Sequence, residues 1–570
     1  MIEALTKFAD RQQTPSDPIN GPPQENKTRS GAVWSVEGVL LVCIIAAGIC
    51  LRFTHLDQKV YWYDEAFSSL QVSGYSPRDA AADILTGRVV SSGEINKYQF
   101  PTPKSPKTAT DTVKGLIAIE PQNTPAYFVA LRWWSSLFPG SIAAIRALSA
   151  IFSVCALGAA FLLCREIFPS SPRVAYVCVA LMAISPFQLL YAQEARPYGM
   201  WCAAATLSSA LLLRAVRRRT AAAWALYALC AALSLYTFLF SILVLGGHAL
   251  FVAIENKFRF TAAARAFAVA LSAAIVSFIP WPYRGQHAGA GNDHYSLGQY
   301  AIKWVRSIGI LFADFNLRKE TSRWILVPYS FLLLVLLTAC GYSIYFLCRR
   351  ATPTQAAYVL ILMGSVCLPL TMLDAAQGSS VSLVTRYIFP SLIGLQIAVA
   401  YMLAMKTDAS CAARSRGAWQ GSLALILALG LASSVTMVRA NEWWNKDPEN
   451  YVQAASRIIN SAKAPVLVVS DAWFVPMLSL EHKLRPDVVY QLTAEPQPLD
   501  IHNGYGTIFA VKPSLHLRTQ LEKNFTLELI DRSSDLWRLT PARSAPEVRD
   551  SQSQQKAGSD EQQGAQFRGR

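Results

Sequence analysis

Eleven apolar runs, each about long enough to cross a bilayer as a helix, leave this chain few ways to fold. They lie near 34–53, 141–164, 174–191, 199–216, 222–239, 241–255, 262–281, 324–347, 355–373, 387–405 and 419–438. Of the 570 residues, 52% are hydrophobic and 16% charged, against roughly 25% charged in a soluble domain. The chain therefore reads as a polytopic α-helical membrane protein with about eleven transmembrane helices. The first run is too long for a signal-peptide core and is expected to stay as an anchor. The net charge of +15 would suit nucleic acid. The basic residues sit instead in short clusters between apolar runs, as topology signals do, and no nucleic-acid partner is expected.

Those clusters give an orientation. One set of short segments holds Arg165 and Arg173; Arg214 and Arg217–Arg219; Lys257, Arg259 and Arg265; Arg349 and Arg350; Lys406, Arg414 and Arg416. The opposite set holds only Arg196 and Arg386. The alternation places the N-terminus in the cytoplasm. Residues 54–140, 192–198, 282–323, 374–386 and everything after about 440 then lie outside it, as suits a bacterial inner membrane. Residues 1–32, rich in Pro, Gln, Ser and Asn, read as a disordered lead-in, and 541–570 as a disordered tail. Residues 33–440 form the membrane domain. Its first long loop, 54–140, carries Pro125–Phe138, PAYFVALRWWSSLF, apolar at helical spacing and suited to the membrane interface. Residues 441–540 read as a small extracytoplasmic α/β domain, with β-branched runs at 464–471, 487–492 and 506–511, FTLELI and LWRLT, and a helix near 514–523. The eleven cysteines fall in or beside the apolar runs or in short basic loops, without CxxC or Cys/His ligand spacing. Neither a disulfide framework nor a zinc site is indicated.

The groups able to do chemistry gather on the outer side. YWYDEAFSSL (61–70) sets Asp64 and Glu65 side by side just past the first run. YAQEARPYG (191–199) crowds Gln193, Glu194, Arg196 and Tyr198 into a turn between two apolar helices. A plain hairpin needs only Gly, Pro, Asn or Ser there, so the charges suggest an aqueous cavity lined by protein. VTRYIFPS (384–391) brings Arg386 and Tyr387 to the start of a late span, where a guanidinium could grip a phosphate through two parallel hydrogen bonds. Glu120 and Asn123 precede the interfacial helix, and Lys303 and Arg306 offer further cations. The plainer readings are an interface marker for the acid pair, an interface anchor for Arg386 and Tyr387, and an amphipathic stretch for the last two. His287 and His294 flank a Gly-rich loop at a spacing unlike a zinc site. Acids beside fixed cations suit displacement at a carbon that bears a phosphate leaving group. A carboxylate takes the proton of the attacking hydroxyl, and cations offset the charge growing on the phosphate.

In motif order the chain resembles the GT-C membrane glycosyltransferases, especially bacterial relatives of the protein O-mannosyltransferases and of the lipid A aminoarabinose transferase. The resemblance covers roughly 34–440. It rests on the Asp–Glu pair of YWYDEAF, the proline-led PAYFVALRWWSSLF followed by IAAIRALSAIFS (142–153), QEARPYG (193–199) and RYIFPS (386–391). One departure is Gln122–Asn123–Thr124–Pro125, where relatives often have His before the prolines. The resemblance implies a donor sugar on a polyprenyl phosphate, a glycan, lipid or protein acceptor, and inversion at the anomeric carbon. It also implies Asp64 as general base, Glu65 positioning the acceptor or the helix, and Arg386, then Arg196, on the lipid phosphate. No cofactor is implied; the O-mannosyltransferase branch needs no metal, whereas other branches use a divalent one. Two other readings stay open at this point: a transporter or flippase of a lipid-linked substrate, and a non-catalytic assembly subunit.

Overall fold

The computed structural model describes residues 36–101, 105–138, 140–281, 295–317, 321–471, 474–494, 499–502 and 504–542. The segment 1–32, nearly all of 541–570, and His287 and His294 lie outside the described residues. The chain divides into two compact units. The first comprises Met1–Asp83, Gly93–Gln453 and Val475–Lys483; the second comprises Ile84–Ser92, Ala454–Phe474 and Leu484–Arg570.

The first unit is helical. Among the described residues, seven helices are long and apolar enough to cross a membrane, and a pair bent by 62° makes an eighth when counted as one span. The other three expected spans are helices of 15 to 17 residues, Ala221–Thr237, Ser241–Glu255 and Ala262–Phe278. The protein is thus a multi-pass membrane protein. The helices that frame the site are α1 (Val36–Phe53), α2 (Tyr63–Val72), α3 (Pro125–Leu137), α4 (Ile142–Ile167), the bent pair α5 (Pro172–Ala183) and α6 (Pro186–Ala192), α7 (Tyr198–Arg218), α8 (Phe389–Lys406) and α9 (Ala413–Arg439).

The break between α5 and α6 follows from Pro186, which cannot continue the hydrogen-bond ladder of α5. The carbonyls it frees are taken. Arg52, at the end of α1 and fully buried, donates to Ala183 O (2.5 Å), Met182 O (3.2 Å) and Gly48 O (2.7 Å). Ser434 of α9 donates to Ile184 O (2.8 Å). Gly48 permits this, since a Cβ there would stand 2.4 Å from Ala183 O. A cation inside an apolar helix thus fastens α1 to the elbow. Gly199 does the same for α7 and α4, where a Cβ would meet Ser149 O at 2.9 Å.

The second unit is a six-stranded sheet in the order β1-β3-β2-β4-β6-β5. The strands are β1 (Thr86–Ser91), β2 (Val466–Ser470), β3 (Val489–Thr493), β4 (Thr507–Val511), β5 (Phe525–Asp531) and β6 (Leu536–Pro541). The central β2 runs parallel to both neighbours, with Leu467 opposite Val489 and Ile508. All its residues are buried, as the unbroken VLVV run requires of a strand covered on both faces. The outer pairs are antiparallel. The edge strand β1 comes from the 54–140 loop, and nothing in its TGRVVS pattern announced it. Helix Leu515–Leu521 packs Leu517 and Leu521 against Leu467, Ile508 and Leu539.

Candidate active site

Everything in the site lies within the first unit. Past the end of α1 the chain turns through 54–62 and enters α2, with Asp64 and Glu65 in the first turn, where the helix dipole favours negative charge. Adjacent on a helix, the two carboxylates point to different sides, and their surroundings differ completely.

Glu65 is fully buried and saturated. Arg146 of α4 grips it with both ends of the guanidinium, Nε on Oε1 at 2.7 Å and Nη2 on Oε2 at 2.6 Å. Lys446 Nζ donates to Oε2 at 2.8 Å and the Ala195 amide to Oε1 at 2.8 Å. Arg146 also holds the 56–60 turn through the carbonyls of Leu56, Lys59 and Val60. Burial by itself would raise the Glu65 carboxyl; the charges of Arg146 and Lys446 outweigh it and hold it down at about 2. Glu65 therefore joins α2, α4, the 194–197 turn and the segment after α9.

Asp64 is the exposed partner, with a side chain 21% accessible. Its Oδ2 stands 3.6 Å from Arg386 Nη2 and 4.0 Å from Arg196 Nη2. These are charge contacts too long for hydrogen bonds, so the carboxylate is balanced without being consumed. Arg196 is fixed by donating Nη1 to Ser68 Oγ (2.7 Å) and to the Asp64 carbonyl (3.2 Å). Arg386 sits among Trp62, Tyr198 and Tyr387, 5.6 to 5.8 Å from their ring centres. Such rings stabilise a cation without using its N–H donors. The Nε atoms of both arginines are buried without a hydrogen-bond partner among the described residues, as are Trp62 Nε1 and Glu194 Oε2. Orphaned buried polar atoms are few in native proteins, and those of the two arginines beside Asp64 mark a place where a polar ligand or water belongs.

The remaining predicted residues divide. Glu194 is buried, with Oε1 accepting from Asn445; burial pushes its carboxyl up to about 7, with Lys446 opposing. Glu120 accepts from Gln71 and Asn123, both at 2.8 Å, and burial raises its carboxyl. Asn123 thus acts on Glu120. Gln193 serves the architecture, donating to Leu51 O and Thr54 O at 2.9 Å and accepting from Lys59. The ring of Tyr387 packs against Phe238 and Phe240. Lys303 lies over Tyr295 and Arg306 over Trp444. Sequence reasoning did not single out Arg146, Lys446, Asn445 or Trp62. Arg146 carried a signal, a lone charge inside an apolar run; Lys446, expected only as the start of the outer domain, carried none. Among the described residues, no three His, Cys, Asp or Glu side chains come together as metal ligands.

The Glu194 shift has a consequence for stability. Its native carboxyl titrates near 7, above the ordinary glutamate value of about 4.3. Between those values the native state holds a proton that the unfolded chain has lost, so this contribution falls as pH rises from about 4.5 to 7. Melting curves of detergent-solubilised protein should show the wild type losing Tm relative to Glu194→Gln across that window. Parallel curves would place Glu194 at its ordinary value.

No protein-family model matches the sequence, and a search of curated proteins returns no match. Solved structures do match. The Archaeoglobus fulgidus oligosaccharyltransferase, in complex with Zn and sulfate, aligns over 80% of this chain at 14% identity and TM-score 0.45; the chain spans 62% of that protein's length. ArnT from Cupriavidus metallidurans, bound to undecaprenyl phosphate, aligns over 90% of this chain and 99% of its own at 11% identity and TM-score 0.47. The arabinosyltransferase EmbB from Mycobacterium smegmatis aligns over 77% of this chain and 43% of its own at 13% identity and TM-score 0.30. These neighbours are GT-C glycosyltransferases.

Proposed function

We propose that this protein is an integral-membrane glycosyltransferase that moves a sugar from a polyprenyl-phosphate donor to an acceptor on the extracytoplasmic face, with inversion. The observation that carries this is Asp64 facing two arginines, each with a buried Nε that has no partner among the described residues. Arg386, with Arg196 beside it, takes the lipid phosphate, for which a planar guanidinium fork is well shaped. Asp64 accepts the proton of the incoming hydroxyl as that oxygen bonds to the anomeric carbon. The carbon–oxygen bond to phosphate breaks, the electron pair leaves on the phosphate, and the two guanidiniums balance the charge that develops. Glu65 holds the helix that carries Asp64 in place. The charge asymmetry of the short loops supports the outward-facing orientation.

The broken span α5–α6 is the one feature that favours a transporter, whose binding sites use discontinuous helices. Here Arg52 and Ser434 already occupy the carbonyls at the break, and the charged cluster stands elsewhere, around α2. Incubating the purified protein with labelled polyprenyl-phosphate sugars, each with a membrane extract as acceptor source, tests the reading. One donor should lose its label to an acceptor in a time- and enzyme-dependent way. Movement of intact donor between leaflets without cleavage would instead establish transport.

A further inference from the structure

One buried acid takes no part in the chemistry proposed above. Asp374 lies in the last turn of helix Pro353–Gln377 and is 4% accessible. A carboxylate there opposes the helix dipole, whose C-terminal end already carries partial negative charge, and the same turn holds no basic residue. The chain that follows is wrapped around it. Gly378, with φ of 67°, reverses the backbone at the helix end, a left-handed position that glycine takes without strain. Ser379 Oγ then donates to Asp374 Oδ1 at 2.5 Å, and the Val381 amide donates to the same oxygen at 2.8 Å. Oδ2 accepts from the Ser382 amide at 2.8 Å and from the Tyr300 hydroxyl at 3.3 Å. All four donors are neutral, so the carboxylate shapes this segment rather than pairing a cation.

The segment leads straight to Arg386. Two short helical turns, Val381–Leu383 and Thr385–Ile388, carry the chain from Asp374 into α8. Helix Leu297–Gly309 braces both turns. Its Tyr300 shares a hydrogen bond of 2.5 Å with Ser382 Oγ, and its Ser307 one of 2.8 Å with Thr385 Oγ1. Ring packing and a 3.6 Å charge contact surround the Arg386 guanidinium, so the aim of its fork depends on where its backbone is held. We infer that Asp374, bridged to Ser382 by Tyr300, is a positioning residue that presents Arg386 to the lipid phosphate. It acts through the backbone of 379–385 and is not itself a ligand. The inference rests on the reading of Arg386 as the phosphate grip and adds the group that fixes its place.

Charge and position give opposite signs here. By Coulomb attraction alone, removing an anion near Arg386 should leave a phosphate better bound. Loosening the 379–385 segment should leave it less well bound. Full-length protein in mild detergent is titrated with a polyprenyl phosphate, binding being read by native mass spectrometry. Arg386→Gln should weaken binding about tenfold or more, as expected from loss of a charge-assisted contact. Asp374→Asn should weaken it at least about threefold, the low end of coupling between groups in one hydrogen-bond network. Tyr300→Phe, which removes a single hydroxyl, serves if Asp374→Asn does not fold. On the Arg386→Gln background the same change should cost nothing further. Wild-type or tighter binding in the folded variant, or a full additional loss on that background, would overturn the positioning role and leave Arg386 as the grip. Wild-type binding by Arg386→Gln would instead overturn the phosphate reading on which the role rests.

Discussion

Replacing Asp64 by Asn should lower sugar transfer by about 10²- to 10⁴-fold, the usual contribution of a positioned base, while protein yield and donor binding persist. The reason lies in what Asp64 does not do. Its carboxylate makes no hydrogen bond to Arg196 or Arg386, standing 4.0 and 3.6 Å from them, so the fold does not depend on it. Asn keeps the volume and the polarity and loses only the ability to accept a proton. Removing the negative charge also leaves both arginines more attractive to phosphate, so donor affinity should hold or rise. Transfer assays and donor titrations on the same preparation check both halves. Undiminished transfer would take the base role away from Asp64.

The neighbouring acid should behave in the opposite way. Glu65→Ala removes the acceptor of four hydrogen bonds and strands Arg146 and Lys446, 1% and 2% accessible, without their counter-charge. Breaking a buried pair from one side costs about 3–5 kcal/mol, a large part of what holds a protein together. The expected result is poor recovery of monodisperse protein and a markedly lower melting temperature, with loss of activity following from loss of structure. Glu65→Gln should lie between, since its amide oxygen can still accept from Ala195 and Arg146. Thermal melts of the three proteins beside Asp64→Asn separate the two acids: one position should move activity alone, the other stability first. If Glu65→Ala melts like wild type and merely turns over slowly, Glu65 belongs to the chemistry.

That contrast also marks where the sequence stops being legible. The apolar runs found the helices because crossing a bilayer demands length and composition, which are written locally. The sheet strands β2 to β6 were visible for a similar reason, as β-branched runs between turn residues. The site was visible as charges where a membrane protein has no cheap place for them: Asp64, Arg196 and Arg386 do meet. Which acid faces the opening was not visible, because YDEAF reads the same whichever side is buried. The answer depends on Arg146, 81 positions away in another helix, and on Lys446 beyond the last span. Strand β1 was hidden because its partner β3 lies about 400 positions along the chain, and an edge strand with TGRVVS has little pattern of its own.

The proposal that Arg196 and Arg386 take the lipid phosphate beside Asp64 is tested most directly by an electron cryo-microscopy structure of the full chain with a polyprenyl phosphate. The phosphate oxygens should lie within about 3 Å of the Arg386 guanidinium, with Arg196 alongside and the Asp64 carboxylate left free of the phosphate, across the space that the sugar fills in the donor. A phosphate held by other residues, with Arg386 and Arg196 left on Asp64 alone, would contradict the proposed chemistry.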